Sequence, residues 1–164
     1  MSDSIDDIDA KILHLLQNNA GLSVAEISEQ VGLSSSPCWR RIKRMEEIGI
    51  IENRVTILNR TKLGLDFEVF VVVKLVLANR TNMEKFERAV ERMPEVVQCA
   101  VVTGAVDFML RIVTKNMHSY EDFLRETLLS IDLISDVQSH IVLRQSKDTN
   151  AIPLNLISNS VPRI

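Results

Sequence analysis

The chain has 164 residues, 46% of them hydrophobic and 25% charged, with a formal net charge of -3. This is the composition of a folded protein rather than a disordered one, and the length suits one medium domain or two small ones. Cys38 and Cys99 show no metal-ligand spacing, His14, His118 and His140 are scattered, the start MSDSIDDID is no signal peptide, and the longest apolar run, VFVVVKLVLA, is broken by Lys74 and too short to span a bilayer.

A cytosolic protein with free thiols follows from these exclusions. A domain of about 60 residues barely builds its own core, so a two-domain chain would lean on self-association.

Near the start, Ser4 and Asp7 have the spacing of a capping box, and Ile5, Ile8, Ile12, Leu15 and Leu16 recur at helical spacing. This first helix should stop near Asn19 to Gly21. Ser23 and Glu26 form a second capping box, Ile27 and Val31 give an apolar side, and Gly32 suits a helix stop. Ser36 and Pro37 start a third helix, with Pro at the first helical position.

On the third helix Cys38, Ile42 and Met45 line one side, while Arg40, Lys43, Arg44 and Glu47 cluster opposite. Arg41 and Trp39 sit on opposite flanks, and Gly49 ends the helix. IIENRVTIL then reads as two short strands around a polar turn, with Arg54 near the tip.

Helix, short helix, tight turn, basic helix and small hairpin is the layout of a winged helix-turn-helix. A recognition helix enters the major groove, where its cations meet phosphates and base edges. This needs a local positive face rather than a positive protein. Ser34, Ser35, Ser36, Pro37, Trp39, Arg40, Arg41, Lys43, Arg44 and Arg54 are therefore the candidate contacts to double-stranded DNA. The serines and the helix N-terminus suit phosphate.

NRTKLGLD, residues 59–66, reads as a linker. The sequence then gives a strand at FEVFVVVKLVLA, a helix carrying Met83, Phe86, Val90 and Met93 on one face, strands at EVVQCAVVT and VDFMLRIVT, a helix marked by Met117, Tyr120, Phe123, Leu124 and Leu128, and a strand at SDVQSHIVL. The order βαββαβ is ferredoxin-like. A faint repeat at a shift of 37 residues, with Phe86 on Phe123 and Arg88 on Arg125, agrees with two βαβ halves. The fold class is thus α+β. The predicted divisions are a DNA-binding domain at 1–58, a linker at 59–66, a ferredoxin-like domain at 67–146 and a C-terminal tail at 147–164.

In the first strand Phe67, Val69, Val71, Val73, Leu75 and Leu77 alternate with Glu68, Phe70, Val72, Lys74 and Val76. The second set is too apolar to face water, so that sheet face is expected to pack on another subunit. No nucleophile–base pair, metal constellation or phosphate-binding glycine loop appears, so no catalytic residue, metal or cofactor is expected.

The segments IDDIDAKILHLLQNN, ISEQVGLSSSPCWRRIKRMEEIGII and VVTGAVDFMLRIV together resemble the Lrp/AsnC (leucine-responsive regulator) family of bacterial and archaeal transcription factors, over roughly residues 4–154. The resemblance implies a cytoplasmic, nucleoid-associated regulator whose second domain binds a small amino-acid effector. It implies dimers that associate into octamers, with the amino acid bound between dimers.

The family's effector loop, typically Gly-Asp-aromatic-Asp, is here Gly104-Ala105-Val106-Asp107, so Ala105 and Val106 depart. Thr103 offers a hydroxyl beside Gly104, Ala105 and Asp107, and family position adds Val101, Met117, Asp136, His140 and Ile141 as candidates. Lys147, Thr149 and Pro153 resemble the ending of some members, a tail that packs on a neighbour or hangs loose. The leading reading is a DNA-binding regulator that responds to an amino acid. The alternative, favoured by Ala105, is an architectural DNA-binding protein of the same fold whose effector site no longer works.

Overall fold

The computed structural model describes residues 4–162; the outermost residues of the predicted first domain and tail, 1–3 and 163–164, lie outside it. The chain divides into two compact units. One takes the residues up to Ile57 together with those from Lys147 onward, and the other runs from Leu58 to Ser146.

The first unit holds α1 (Asp7–Asn18), α2 (Val24–Val31) and α3 (Ser35–Glu47). The cap of α1 is Asp6, in a reciprocal box with Asp9, rather than Ser4. A carboxylate is a stronger acceptor for the first-turn amides than a hydroxyl, and Asp9 returns a bond to the cap. The Ser23–Glu26 box starts α2 as expected, and Gly32 ends it at φ 70°. Ser34 caps α3, so Pro37 is its third residue rather than its first. Its missing N–H is still one of the four orphan donors of the first turn.

Ala10, Ile12, Leu13, Leu16, Ile27, Cys38, Ile42 and Met45 form the core of this unit, and Leu154 and Val161 from the tail join it. The two strands expected around Arg54 are absent: residues 52–59 form neither helix nor strand. Val55, Ile57 and Leu58 stay largely exposed, and a short hairpin with no face to bury is not stable in water.

The second unit contains β1 (Phe67–Leu75), α4 (Arg80–Val90), β2 (Val96–Val101), β3 (Phe108–Thr114), α5 (Met117–Phe123) and β4 (Ile134–Ile141). A short turn at Thr61–Leu63 precedes β1, and a π-helical turn, Leu124–Leu128, extends α5. The antiparallel sheet runs β2-β3-β1-β4. Val69, Val71, Val73 and Leu75 bury against Phe86, Val90, Tyr120, Phe123 and Leu128, as the period-2 and helical patterns predict.

Leu77 does not continue the row. The ladder with β4 shifts at Lys74/Leu75 and β1 ends there, which leaves Val76 and Leu77 exposed. Met117 also lies outside the core, 64% exposed at the first turn of α5. On the open sheet face Met109 is exposed, whereas Glu68 is 2% exposed. Arg60 and Arg111 both bond the Glu68 carboxylate, the former at 2.6 Å, which compensates the buried charge.

Candidate nucleic-acid interface and ligand cleft

The helix α3 buries Cys38, Ile42 and Met45 and turns its other side outward. Ser34, Ser35 and Ser36 are exposed at its N-terminus, and the Ser34 side chain makes no cap bond. Ser35 Oγ lies 3.4 Å from Ser28 Oγ. Pro37 is half-buried beside them, and Trp39 is 51% exposed.

The cations of α3 divide into two sets. Arg40 is exposed and, among the described residues, has no ion-pair partner. Lys43 Nζ donates to Glu46 Oε2 at 2.6 Å, and Arg54 Nη2 donates to Glu46 Oε1 at 3.0 Å. Both remain at the surface, with side chains 48% and 43% exposed. The Lys43 bond, with Arg54 beside it, holds the Glu46 carboxyl below its usual value.

Arg41 and Arg44 instead turn back to α1. Arg41 Nη1 donates to Asp6 Oδ2 at 2.7 Å and Asp9 Oδ1 at 2.9 Å, and Arg44 Nη2 donates to Asp9 Oδ2 at 2.5 Å. Partial burial alone would raise the Asp6 carboxyl. The Asp9 N–H and the Arg41 guanidinium outweigh it and leave Asp6 below its ordinary value. The bonds to Asp9 and Asp6 raise Arg41 further.

Asp6, Asp9 and Glu46 were not expected as site residues. Asp9 did leave a sequence signal. It falls in the apolar stripe with Ile5, Ile12 and Leu16, where an unpaired carboxylate could not be buried.

In the second unit the effector candidates fall at two ends of the sheet. Val101 ends β2, and Thr103, Gly104, Ala105 and Asp107 lie in the β2–β3 loop that follows. Asp107 adjoins the end of β1: its N–H donates to the Val73 carbonyl at 2.9 Å, and its Oδ2 accepts from Leu75 N–H at 2.7 Å. This carboxylate therefore closes the ladder where β1 shifts register. Asp136 flanks the same end from β4, opposite Lys74.

His140 and Ile141 pair with Phe70 and Val69, four or more residues away along β1. Met117 follows β3 at that distant end, where Thr114 meets Phe67. At about 3.3 Å per residue the two groups are more than 10 Å apart within one chain.

A cleft of about 310 Å³ opens beside Asp136, lined by Leu124, Leu129, Ile134, Ser135 and Val137. Family position marked Asp136, helical spacing marked Leu124, and Ser135 and Val137 fall in the predicted last strand, whereas Leu129 and Ile134 were not singled out. The cleft wall is largely apolar; Asp136 pairs with Lys74, one residue out of step with the Val73–Val137 row of the core face, so its side chain turns to the other face of the sheet at the rim of the cleft. Gln138 Nε2 steadies Asp136 Oδ2 at 3.1 Å. Among the described residues no group of three or more His, Cys, Asp or Glu is gathered for a metal ion, and no helix is long and apolar enough to cross a membrane.

Comparison with known proteins adds to this geometry. A family model for a winged helix-turn-helix DNA-binding domain matches residues 5–52, and one for the Lrp/AsnC ligand binding domain matches residues 68–152. The chain is 35% identical over 151 residues to the transcriptional regulator AzlB of Bacillus subtilis, covering 92% of this chain and 96% of that one. It is 35% identical over 159 residues to a glutamate uptake regulatory protein of Zymomonas mobilis, covering 97% and 96%. Among solved structures, a transcriptional regulator of Neisseria meningitidis in complex with L-Met superposes with a TM-score of 0.90 at 36% identity, covering 94% of this chain and 99% of that one.

Proposed function

Because the chain belongs to the Lrp/AsnC family of DNA-binding transcriptional regulators, we propose that it reads a specific duplex through the outer face of α3 and adjusts that reading to a small amino acid held by the sheet unit. The observation that carries the DNA side is the division of the α3 cations. Arg40 and Lys43 face solvent for base edges and phosphates. Ser34, Ser35, Ser36 and the helix N-terminus take one phosphate, and Arg54, bonded to Glu46 near the other end of α3, takes another. Arg41 and Arg44 set the angle of α3 against α1 rather than reach for DNA. Trp39 and Pro37 border the interface.

On the ligand side, the cleft beside β4 supplies an apolar wall for a side chain, and Asp136 at its rim supplies a carboxylate on the open face of the sheet. The Val101–Asp107 loop borders the same end of the sheet. His140, Ile141 and Met117 at the other end join an effector site only where copies of the chain meet, which fits an amino acid bound between dimers. The exposed apolar sheet face supplies the surface for the dimer, and octamers follow by association of dimers. The protein acts in the cytoplasm, on nucleoid DNA.

The test is fluorescence anisotropy of labelled duplexes over a salt series, with each of the twenty amino acids in turn. L-Met comes first, because the Neisseria meningitidis regulator was solved with it. Tight binding beyond that of a random duplex, falling steeply with salt, supports the DNA reading. An amino acid that shifts this affinity and raises the melting temperature supports the effector reading, since ligand at 100 times its Kd adds about 2.7 kcal/mol. DNA binding with no response to any amino acid would refute it.

A further inference from the structure

The two family matches end at residues 52 and 152, so the last described segment, 153–162, belongs to neither. Yet, together with Ile152 before it, this segment is bonded to α1 near both ends of the helix. At one end, Gln17 Nε2 donates to the Ile152 carbonyl at 3.2 Å and Gln17 Oε1 accepts from Ile152 N–H at 3.1 Å. At the other, Ser158 Oγ donates to Asp7 Oδ1 at 2.6 Å. Gln17 and Asp7 lie about 15 Å apart along the helix.

Between these ends a short turn, Leu154–Leu156, sets Leu154 into the core with Ala10, Leu13 and Leu16. Val161 enters the same core, and both side chains are 5% exposed. Next to Leu13 and Leu16, α1 and its cap also carry Asp9 and Asp6, which hold Arg41 and Arg44 of α3. Thus α1 is bonded both to this segment and to the recognition helix, and all three share one core.

We infer that residues 152–162 are a strap that positions α1, and through it the recognition helix, so that Gln17, Leu154 and Ser158 determine DNA specificity without touching DNA. The inference rests on the DNA reading above. Base-edge contacts require a fixed helix angle, whereas attraction to phosphates tolerates a loose one. A loosened strap therefore costs discrimination before it costs general affinity.

The test compares the full chain with Leu154→Asp, Ser158→Ala and the conservative Ser158→Thr. Duplexes are first selected from a random pool by the unaltered chain. Binding to selected and unselected duplexes is then measured at a temperature where fluorescence of the single tryptophan, Trp39, reports a folded variant. Hydrogen exchange is followed at α1 and at the sheet.

Leu154→Asp and Ser158→Ala are expected to lower the preference for selected duplexes, Leu154→Asp by about tenfold, the effect of one lost base contact. Affinity for unselected duplexes stays nearly constant, and Ser158→Thr retains the preference. Exchange quickens in α1 and not in β1–β4. Should Leu154→Asp fail to fold, Ser158→Ala decides.

An equal loss on both kinds of duplex would show a strap that only stabilises, and would overturn the positioning role. Unchanged preference would overturn it too. If the unaltered chain selects no duplex, the DNA reading falls and specificity with it. Unchanged α1 exchange would then show that the strap does not hold the helix at all.

Discussion

Replacing Asp9 with Asn tests what holds the recognition helix in place. The Asp9 side chain is 1% exposed and receives Arg41 and Arg44, whose side chains are 31% and 28% exposed. Removing one partner of a fully buried ion pair costs about 3–5 kcal/mol. Here both guanidinium groups reach water, and Arg41 keeps Asp6, so the cost falls to about 2–3 kcal/mol. Asp6, with 52% of its side chain exposed, supplies the internal control: Asp6→Asn should cost below about 1 kcal/mol.

The assay is urea denaturation followed by Trp39, which lies on α3 and therefore reports the first unit. With a slope near 1–2 kcal/mol/M, the Asp9→Asn midpoint should fall by about 1–3 M. A midpoint that moves no further than that of Asp6→Asn would refute the reasoning. The Asp9 cluster would then be a surface arrangement of little energetic weight.

Arg40→Ala should relax discrimination at one base pair by about 1–3 kcal/mol in competition against variant duplexes, and a uniform loss would identify a phosphate contact instead. Lys43→Ala should lower the slope of log affinity against log salt by about 1, with sequence preference kept. The Asp6, Asp7 and Glu46 carboxyls all lie below their ordinary values of 3.8, 3.8 and 4.5. For Asp7 the bond from Ser158 is the main cause. The unfolded chain therefore binds protons first. The stability these groups add is present above their ordinary values and is lost as pH falls through the lower folded values, as Trp39 fluorescence in an acid titration at fixed urea should show. Asp107→Ala leaves the Leu75 N–H without its acceptor and should destabilise the sheet unit by about 1–2 kcal/mol in calorimetry, whatever its effect on ligand binding.

Signals that act within a few residues were legible in the chain itself. The Ser23–Glu26 box, the left-handed Gly32 and the Cys38, Ile42, Met45 seam each depend on local geometry, and each occurs as read. The alternation of β1 assigned its core face correctly as far as Leu75. It failed at Leu77 because strand length depends on the partner ladder, which shifts at Lys74/Leu75.

Tertiary structure alone decided which cations face solvent. Arg40, Arg41, Lys43 and Arg44 look alike in sequence, but Asp9 lies more than thirty positions away and claims two of them. Likewise, only the fold brings the Leu75 N–H at the end of β1 to the Asp107 carboxylate.

The tail is the plainest case. Nothing near Ile152, Leu154 or Ser158 in sequence states that Gln17, Ala10 and Asp7 await them. The sequence determined the helices, the strands and the family, because caps, periods and motifs are local. The bonds that orient α3, close the loop at Asp107 and lay the strap on α1 join distant residues, and only the folded chain brings those within reach.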